Sequence, residues 1–339
     1  MKPAAGRSGK NEMMPVYLCY GKETYAMREF VKRLTEQAVA LEYADVAVSR
    51  FDLTETEIGA VLEDAETLPF LAPRKVVIAE NALLFTASRE SPEHDTERLL
   101  EYIQSPAEYT VLVFTVAAEK LDQRKKAVKK LKEMNCLVEF PAMNHAELVQ
   151  WITARCQEAG CRISADAAEQ IIVNAGAELS LIAPELDKLC TFAGNGGMID
   201  REAVNELVSV NAEQNVFALI DEIVRLQAGQ AMSRFYELLK RREEPVKILM
   251  LLARQFRIML QAKELSAAGF GEREIAAELN LHPFSVKMAL QQGKTFSQQT
   301  LSRVLAELAE LDYRMKSGKT DKIYALERFL LKLAHMRKH

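Results

Sequence analysis

VYLCYGKET, residues 16–24, decides how the first third of the chain reads. Val16-Tyr20 is an apolar run of strand length, and a helical pattern follows from Tyr25 to about Leu41. A nucleotide-binding protein carries G-x-x-x-x-G-K-[ST] at such a strand-to-helix turn. Backbone N–H groups of that loop cradle the phosphates, its Lys neutralises them and its hydroxyl holds Mg²⁺. Here Gly21 and Lys22 stand without a glycine five residues upstream, and Glu23 takes the hydroxyl position. Glu23 would set a negative charge beside the phosphates. The layout is that of an ATPase from which the ATP chemistry has been removed.

Outward from this turn, four more strands read at Ala47-Phe51, Lys75-Ala79, Thr110-Thr115 and Leu137-Phe140. Amphipathic segments lie between them, near Tyr25-Leu41, Glu55-Glu66, Asp95-Gln104 and Gln123-Met134. This alternation predicts a parallel sheet covered on both faces. Runs such as KVVIA and YTVLVFT suit strands buried on both sides. The third strand ends VVIAEN, where a P-loop ATPase shows Asp-Glu to hold Mg²⁺ and orient water. Ala79 stands in the place of that Asp, and only Glu80 remains. Gly21, Lys22 and Glu80 are thus the remnants of a degenerate nucleotide site. Two independent losses predict a chain with no intrinsic ATP hydrolysis, no catalytic residues and no cofactor.

Composition excludes several other classes. The 339 residues hold no apolar run of about 18 residues that would span a bilayer. MKPAAGRSGKNEMMP has no apolar signal core and reads as a short disordered tail over 1–14. Cys19, Cys136, Cys156, Cys161 and Cys190 form no C-x-x-C pair, so spacing argues against a metal site. Their odd number, without a secretion signal, points to reduced thiols in a cytoplasmic protein. No G-x-S-x-G or H-E-x-x-H motif is present, and His94, His145, His282, His335 and His339 are scattered.

Charge is uneven. Residues 1–212 hold 23 Lys+Arg against 33 Asp+Glu, and residues 213–339 hold 21 against 15. Such asymmetry marks either an end that faces nucleic acid or a solvated helical surface. After Pro141 the strand signal disappears. Asn144-His145-Ala146-Glu147 supplies an N-cap and acidic first turn for a helix through Trp151. Helices follow at Ala165-Ala175 and Leu179-Phe192, and Asp200 caps another. Long helical stretches then run from Val216 to the end: Val216-Ala228, Ala231-Arg241, Pro245-Ala268, Glu272-Leu279, Ser285-Lys294, Ser297-Lys316 and Lys319-His335. The expected division is 15–140 (α/β), 141–212 (small helical) and 213–339 (all-helical).

Several stretches, in order, resemble the delta subunit of the bacterial replicative clamp loader, in its Gram-positive type. They are VYLCYGKETYAMREF, TLPFLAPRKVVIAEN, LSLIAPELDKLCTFAG, QNVFALIDEI, PVKILMLLARQFRIMLQAKEL, LNLHPFSVKMAL and LAELDYRMKSGKTDKIYALERFLLKL. The resemblance implies an AAA+-like parallel-sheet domain with a decayed nucleotide site, a helical lid and a C-terminal helical collar. It implies a non-ATPase component of DNA polymerase III that binds the ring-shaped sliding clamp (beta) and opens it for loading. Its implied partners are the tau/gamma and delta prime subunits and, within the complex, primed DNA. The Ser-Arg-Cys triplet of ATPase-partner subunits is absent; Ser49-Arg50-Phe51 and Ala154-Arg155-Cys156 come nearest.

In that family a Leu-Phe type pair just before the third strand binds the clamp. Here the slot holds Thr67-Leu68-Pro69-Phe70-Leu71, with Pro69 in the position of the Leu. Read from residues alone, Leu68 and Phe70 suit a core; the resemblance assigns Leu68, Pro69, Phe70 and Leu71 to clamp contact. Pro69 disfavours helical geometry at Leu68, so the helix before it must break there. At the basic end, Lys316, Lys319 and Lys322 flank the helix break Ser317-Gly318, where N–H groups and ammonium groups suit phosphate. Tyr313 offers a ring to an unpaired base. A solvated helix end explains the same residues. Two other classes stay open: an active AAA+ ATPase with an atypical site, and a stand-alone DNA-binding protein.

Overall fold

The computed structural model describes residues 13–88, 94–210 and 212–335. Most of the expected N-terminal tail, Asn211 at the expected boundary and His339 lie outside the described residues. The chain divides into two compact units, residues 1–142 and 143–339. No helix among the described residues is long and apolar enough to cross a membrane.

In the first unit the elements run β1 (Val16–Gly21), α1 (Thr24–Ala38), α2 (Ala44–Ala47), β2 (Val48–Asp52), α3 (Ile58–Glu66), β3 (Lys75–Glu80), α4 (Thr96–Gln104), β4 (Thr110–Val116), α5 (Lys126–Glu133) and β5 (Leu137–Phe140). The five strands form one sheet in the order β2-β3-β4-β1-β5, and every pairing is parallel. Alternation along the strands assigns the two faces. Val77 and Ala79 of β3, with Leu112 and Phe114 of β4, pack beneath α3, α4 and α5. Val76 and Ile78, with Val111 and Val113, pack beneath Met27, Val31 and Leu34 of α1. With both faces covered, the central strands carry no polar alternation, which is why KVVIA and TVLVFTV read as continuous apolar runs.

The second unit is helical: α6 (His145–Glu158), α7 (Ala165–Ala175), α8 (Leu179–Ala193), α9 (Arg201–Leu207), α10 (Ala212–Val224), α11 (Ala228–Lys240), α12 (Pro245–Ala267), α13 (Glu272–Glu278), α14 (Pro283–Gly293), α15 (Gln298–Lys316) and α16 (Lys322–His335). Asn144 and Glu147 close a reciprocal capping box on α6, at 3.0 and 2.7 Å, and Asp200 caps α9. Beyond Trp151, α6 continues to Glu158 because Leu148, Ile152 and Cys156 keep one buried stripe at four-residue spacing.

One expectation fails here. Strand does occur after Pro141: β6 (Arg162–Ile163) and β7 (Met198–Ile199) pair in parallel. Two residues are too few to produce a readable period, so only the partner 36 positions away defines them. In α12, Ile248, Leu252, Phe256 and Met259 form a buried apolar face, whereas Leu251 and Leu260 lie at its half-buried margins.

Gly21 holds a steric position. Its φ is +141°, and a Cβ there would lie 2.0 Å from the Phe140 carbonyl oxygen. Gly21→Ala is therefore expected to cost about 3 kcal/mol, read as a lower midpoint in urea unfolding. An unchanged midpoint would show that β5 relaxes around the methyl group.

Candidate functional site

The corner at the carboxyl ends of β1, β3 and β4 is where an α/β sheet of this kind holds a nucleotide. Here only Lys22 and Glu23 separate β1 from α1. The backbone N–H groups that a P-loop would aim at phosphate are engaged: Glu23 donates to the Phe140 carbonyl at 3.0 Å and Thr24 to the Lys22 carbonyl at 3.0 Å. The Lys22 ammonium faces Glu119 at 3.5 Å, and Glu80 accepts from Arg50 at 3.0 Å. Ala79, in the metal-holding position, is fully buried and presents no ligand atom. Gly21 and Lys22 share the β1 end, while Glu80 is turned to the neighbouring strand β2. All three residues thus face the protein's own charges and carbonyls.

Eight residues, Thr67 to Arg74, connect α3 to β3, and the base of this segment is tied on all sides. The final carbonyls of α3 lack intrahelical partners. Side chains supply them. Lys75 Nζ donates to the Asp64 carbonyl at 2.6 Å, Thr110 Oγ1 to that of Ala65 at 2.7 Å and Tyr109 OH to that of Glu66 at 2.6 Å. Thr67 Oγ1 turns back onto the Glu63 carbonyl at 2.8 Å. Lys75 also meets the Asp64 carboxylate at 2.8 Å with its own side chain only 8% exposed.

Above this base the segment is apolar and exposed. Leu68, Phe70 and Leu71 show 71%, 70% and 69% of their surface to solvent, and Pro69 is half-buried. A lone exposed Leu is ordinary, but three large apolar side chains exposed within four residues form a patch of the kind that interaction surfaces carry. Leu71 has φ +61°, a conformation that costs a Leu roughly 1 kcal/mol. Residue spacing alone suited Leu68 and Phe70 to a core, and the structure places neither there.

At the basic end, Tyr313 is exposed and Lys319 sits 4.7 Å above its ring centroid, with Nζ also donating to the phenol oxygen at 3.3 Å. Lys316 is paired with Asp312 at 2.8 Å, and Lys322 is an exposed residue at the start of α16. Three of the four residues singled out thus cluster around the end of α15, with one ring face covered by an ammonium. Among the residues that sequence reading missed are Lys75, Tyr109 and Thr110, the anchors of the exposed segment. The available signal was a lysine opening the apolar run KVVIA, where a buried ammonium demands a partner.

An AAA+-like parallel-sheet module with its nucleotide corner closed, preceding a long helical region, is the class this architecture defines. Residues 17–141 match the family described as DNA polymerase III, delta subunit, and residues 213–333 match its C-terminal domain. Residues 144–210 match a family described as a middle domain. The DNA polymerase III subunit delta of Bacillus subtilis is 41% identical over 96% of this chain and 94% of its own length. A probable delta subunit from Aquifex aeolicus is 20% identical over 93% and 90%. The solved Bacillus subtilis DNA clamp loader delta protein superposes with a TM-score of 0.86 over 95% of this chain and 96% of that one. The chain belongs to the DNA polymerase III delta subunit family of clamp-loader proteins.

Lys75→Met keeps the buried stem but leaves Asp64 and its carbonyl without the ammonium. Breaking such a pair is expected to cost about 3 kcal/mol in urea unfolding and to speed proteolytic cleavage within residues 67–74. Cleavage at the wild-type rate would mean that the segment is held by something else.

Proposed function

We propose that this chain is the non-ATPase delta subunit that binds the sliding clamp and opens the ring for loading onto primed DNA. The observation that carries this reading is the exposed Leu68-Pro69-Phe70-Leu71 segment on its tied base. Phe70 is the anchor: an aromatic ring entering a pocket on the clamp is the usual form of an interface hot spot. Leu68 and Leu71 flank it, and the half-buried Pro69 stiffens the turn. A base already fixed by hydrogen bonds leaves little chain entropy to lose on docking.

Opening needs no chemical step in this chain. A ligand that binds the opened clamp more tightly than the closed one shifts the ring by that difference and no more. The closed nucleotide corner fits a subunit that leaves ATP hydrolysis to neighbouring subunits of a complex whose other members are tau/gamma and delta prime. The working division is 15–140 for clamp binding, 141–212 as a helical lid and 213–339 as the collar through which the subunits associate. Tyr313, Lys316, Lys319 and Lys322 form the region that meets DNA once the complex is assembled, with Lys319 leaving the Tyr313 ring to reach a phosphate. The site of action is the cytoplasm, where replication takes place.

Phe70→Ala is expected to weaken nucleotide-free binding to the cognate clamp by about 2 kcal/mol or more, roughly 30-fold in affinity. Biosensor titration of folded protein measures it. Undiminished affinity would remove Phe70 from the interface. Tight binding of Mg-ATP by the isolated chain would favour an active ATPase instead, and tight, steeply salt-dependent binding to primed DNA without partners would favour a stand-alone DNA-binding protein.

A further inference from the structure

Three of the five cysteines, far apart in sequence, meet at one point of the second unit. Cys156 comes from the last turns of α6, Cys161 from the turn just before β6, and Cys190 from the end of α8. The Cys161 and Cys190 sulfurs are 3.2 Å apart, those of Cys156 and Cys190 3.9 Å, and all three lie within 4.8 Å of one another. Cys156 and Cys161 are buried, and Cys190 is partly open to solvent. Spacing alone hid this convergence: Cys156 and Cys161 are five apart, and the third sulfur arrives only when α8 folds back.

A thiolate site with metal–sulfur bonds of about 2.3 Å sets its sulfurs about 3.8 Å apart. The observed separations scatter around that value, so rotation of the side chains would bring all three sulfurs onto one ion without moving a helix. The β6–β7 pair fixes the geometry from below. Arg162 and Ser164, flanking the turn after Cys161, donate to the Gly197 and Ile199 carbonyls at 2.9 and 3.0 Å, and so tie that turn to the strand that follows α8. The Gly160 carbonyl accepts from Gly196 at 2.7 Å, a second tie between the same two turns.

We propose that Cys156, Cys161 and Cys190 form a binding site for one thiophilic d¹⁰ cation. Three sulfur donors with no imidazole or carboxylate among them select soft ions, Cu(I) as a three-coordinate complex or Zn(II) with a water in the fourth position. The solvent-open side at Cys190 provides both the entry path and room for that water. On binding, three S–H bonds give up their protons to solvent and three metal–sulfur bonds form, with no change in oxidation state. The ion would staple α6, the β6 turn and α8 into one body.

The test uses the reduced, metal-stripped full chain under anaerobic conditions, incubated in separate arms with Zn(II) and Cu(I) and then passed through a desalting column. Retained metal is measured by elemental analysis and free thiols by a colorimetric reagent. One ion per chain with three thiols protected is expected, and whichever arm retains it identifies the ion. Cys190→Ser, at the half-exposed position, should abolish retention while leaving circular dichroism unchanged, and Cys136→Ser should leave retention intact. No metal retained in either arm, or equal retention by folded Cys190→Ser, would overturn the site. Loss of two thiols on air oxidation with no metal retained would overturn it in favour of a Cys161–Cys190 disulfide.

Discussion

The contact between the Lys75 ammonium and the end of α3 is the constraint on which the functional reading depends. An ammonium with almost no access to water is tolerated only where carbonyl and carboxylate oxygens surround it. Asp64 provides both, through its main chain and its side chain. The same contact joins the last turn of a helix to the first residue of a buried strand. The residues that connect them therefore make a short, closed excursion on which Leu68, Phe70 and Leu71 are exposed. Tyr109 and Thr110, at the start of the adjacent strand, hold the neighbouring carbonyls and complete the tie. The fold spends its polar contacts at the base of the excursion and leaves its largest apolar groups at the tip.

The nucleotide corner shows the reverse arrangement. There the residues that ought to face outward toward a ligand are drawn into the protein. Gly21 lies against the β5 backbone, the first N–H groups of the turn are engaged by carbonyls, and Lys22 and Glu80 each face an opposite charge. A phosphate would have to displace these partners without the donors of a glycine-rich loop to receive it. One module thus has a parallel sheet whose corner at the carboxyl ends is closed by its own contacts, while its exposed apolar residues lie on the connection before β3.

Much of the fold was legible because its signals are local. The central strands β1, β3 and β4 are near-continuous apolar runs, and Asn144-Glu147, Asp200 and Pro245 announce helix starts through their own chemistry. The pair β6–β7 was not legible, since two-residue strands are defined by a partner and not by a pattern. The exposure of Leu68 and Phe70 was not legible from composition either: an apolar residue beside a proline suits a core as well as a surface. What decides the matter is the ring of hydrogen bonds from residues 11 to 45 positions away, and no short window of sequence contains them. The cysteine cluster is the same case, with its third sulfur arriving 29 residues after the second.

The central claim is that the tied, exposed segment makes the clamp contact without nucleotide. Hydroxyl-radical footprinting of the free chain and of its complex with the cognate clamp, in the absence of ATP, tests this most directly. The account predicts strong protection of Leu68, Phe70 and Leu71 in the complex. If the complex forms while those three side chains stay as reactive as in the free chain, the clamp binds elsewhere and the account is wrong.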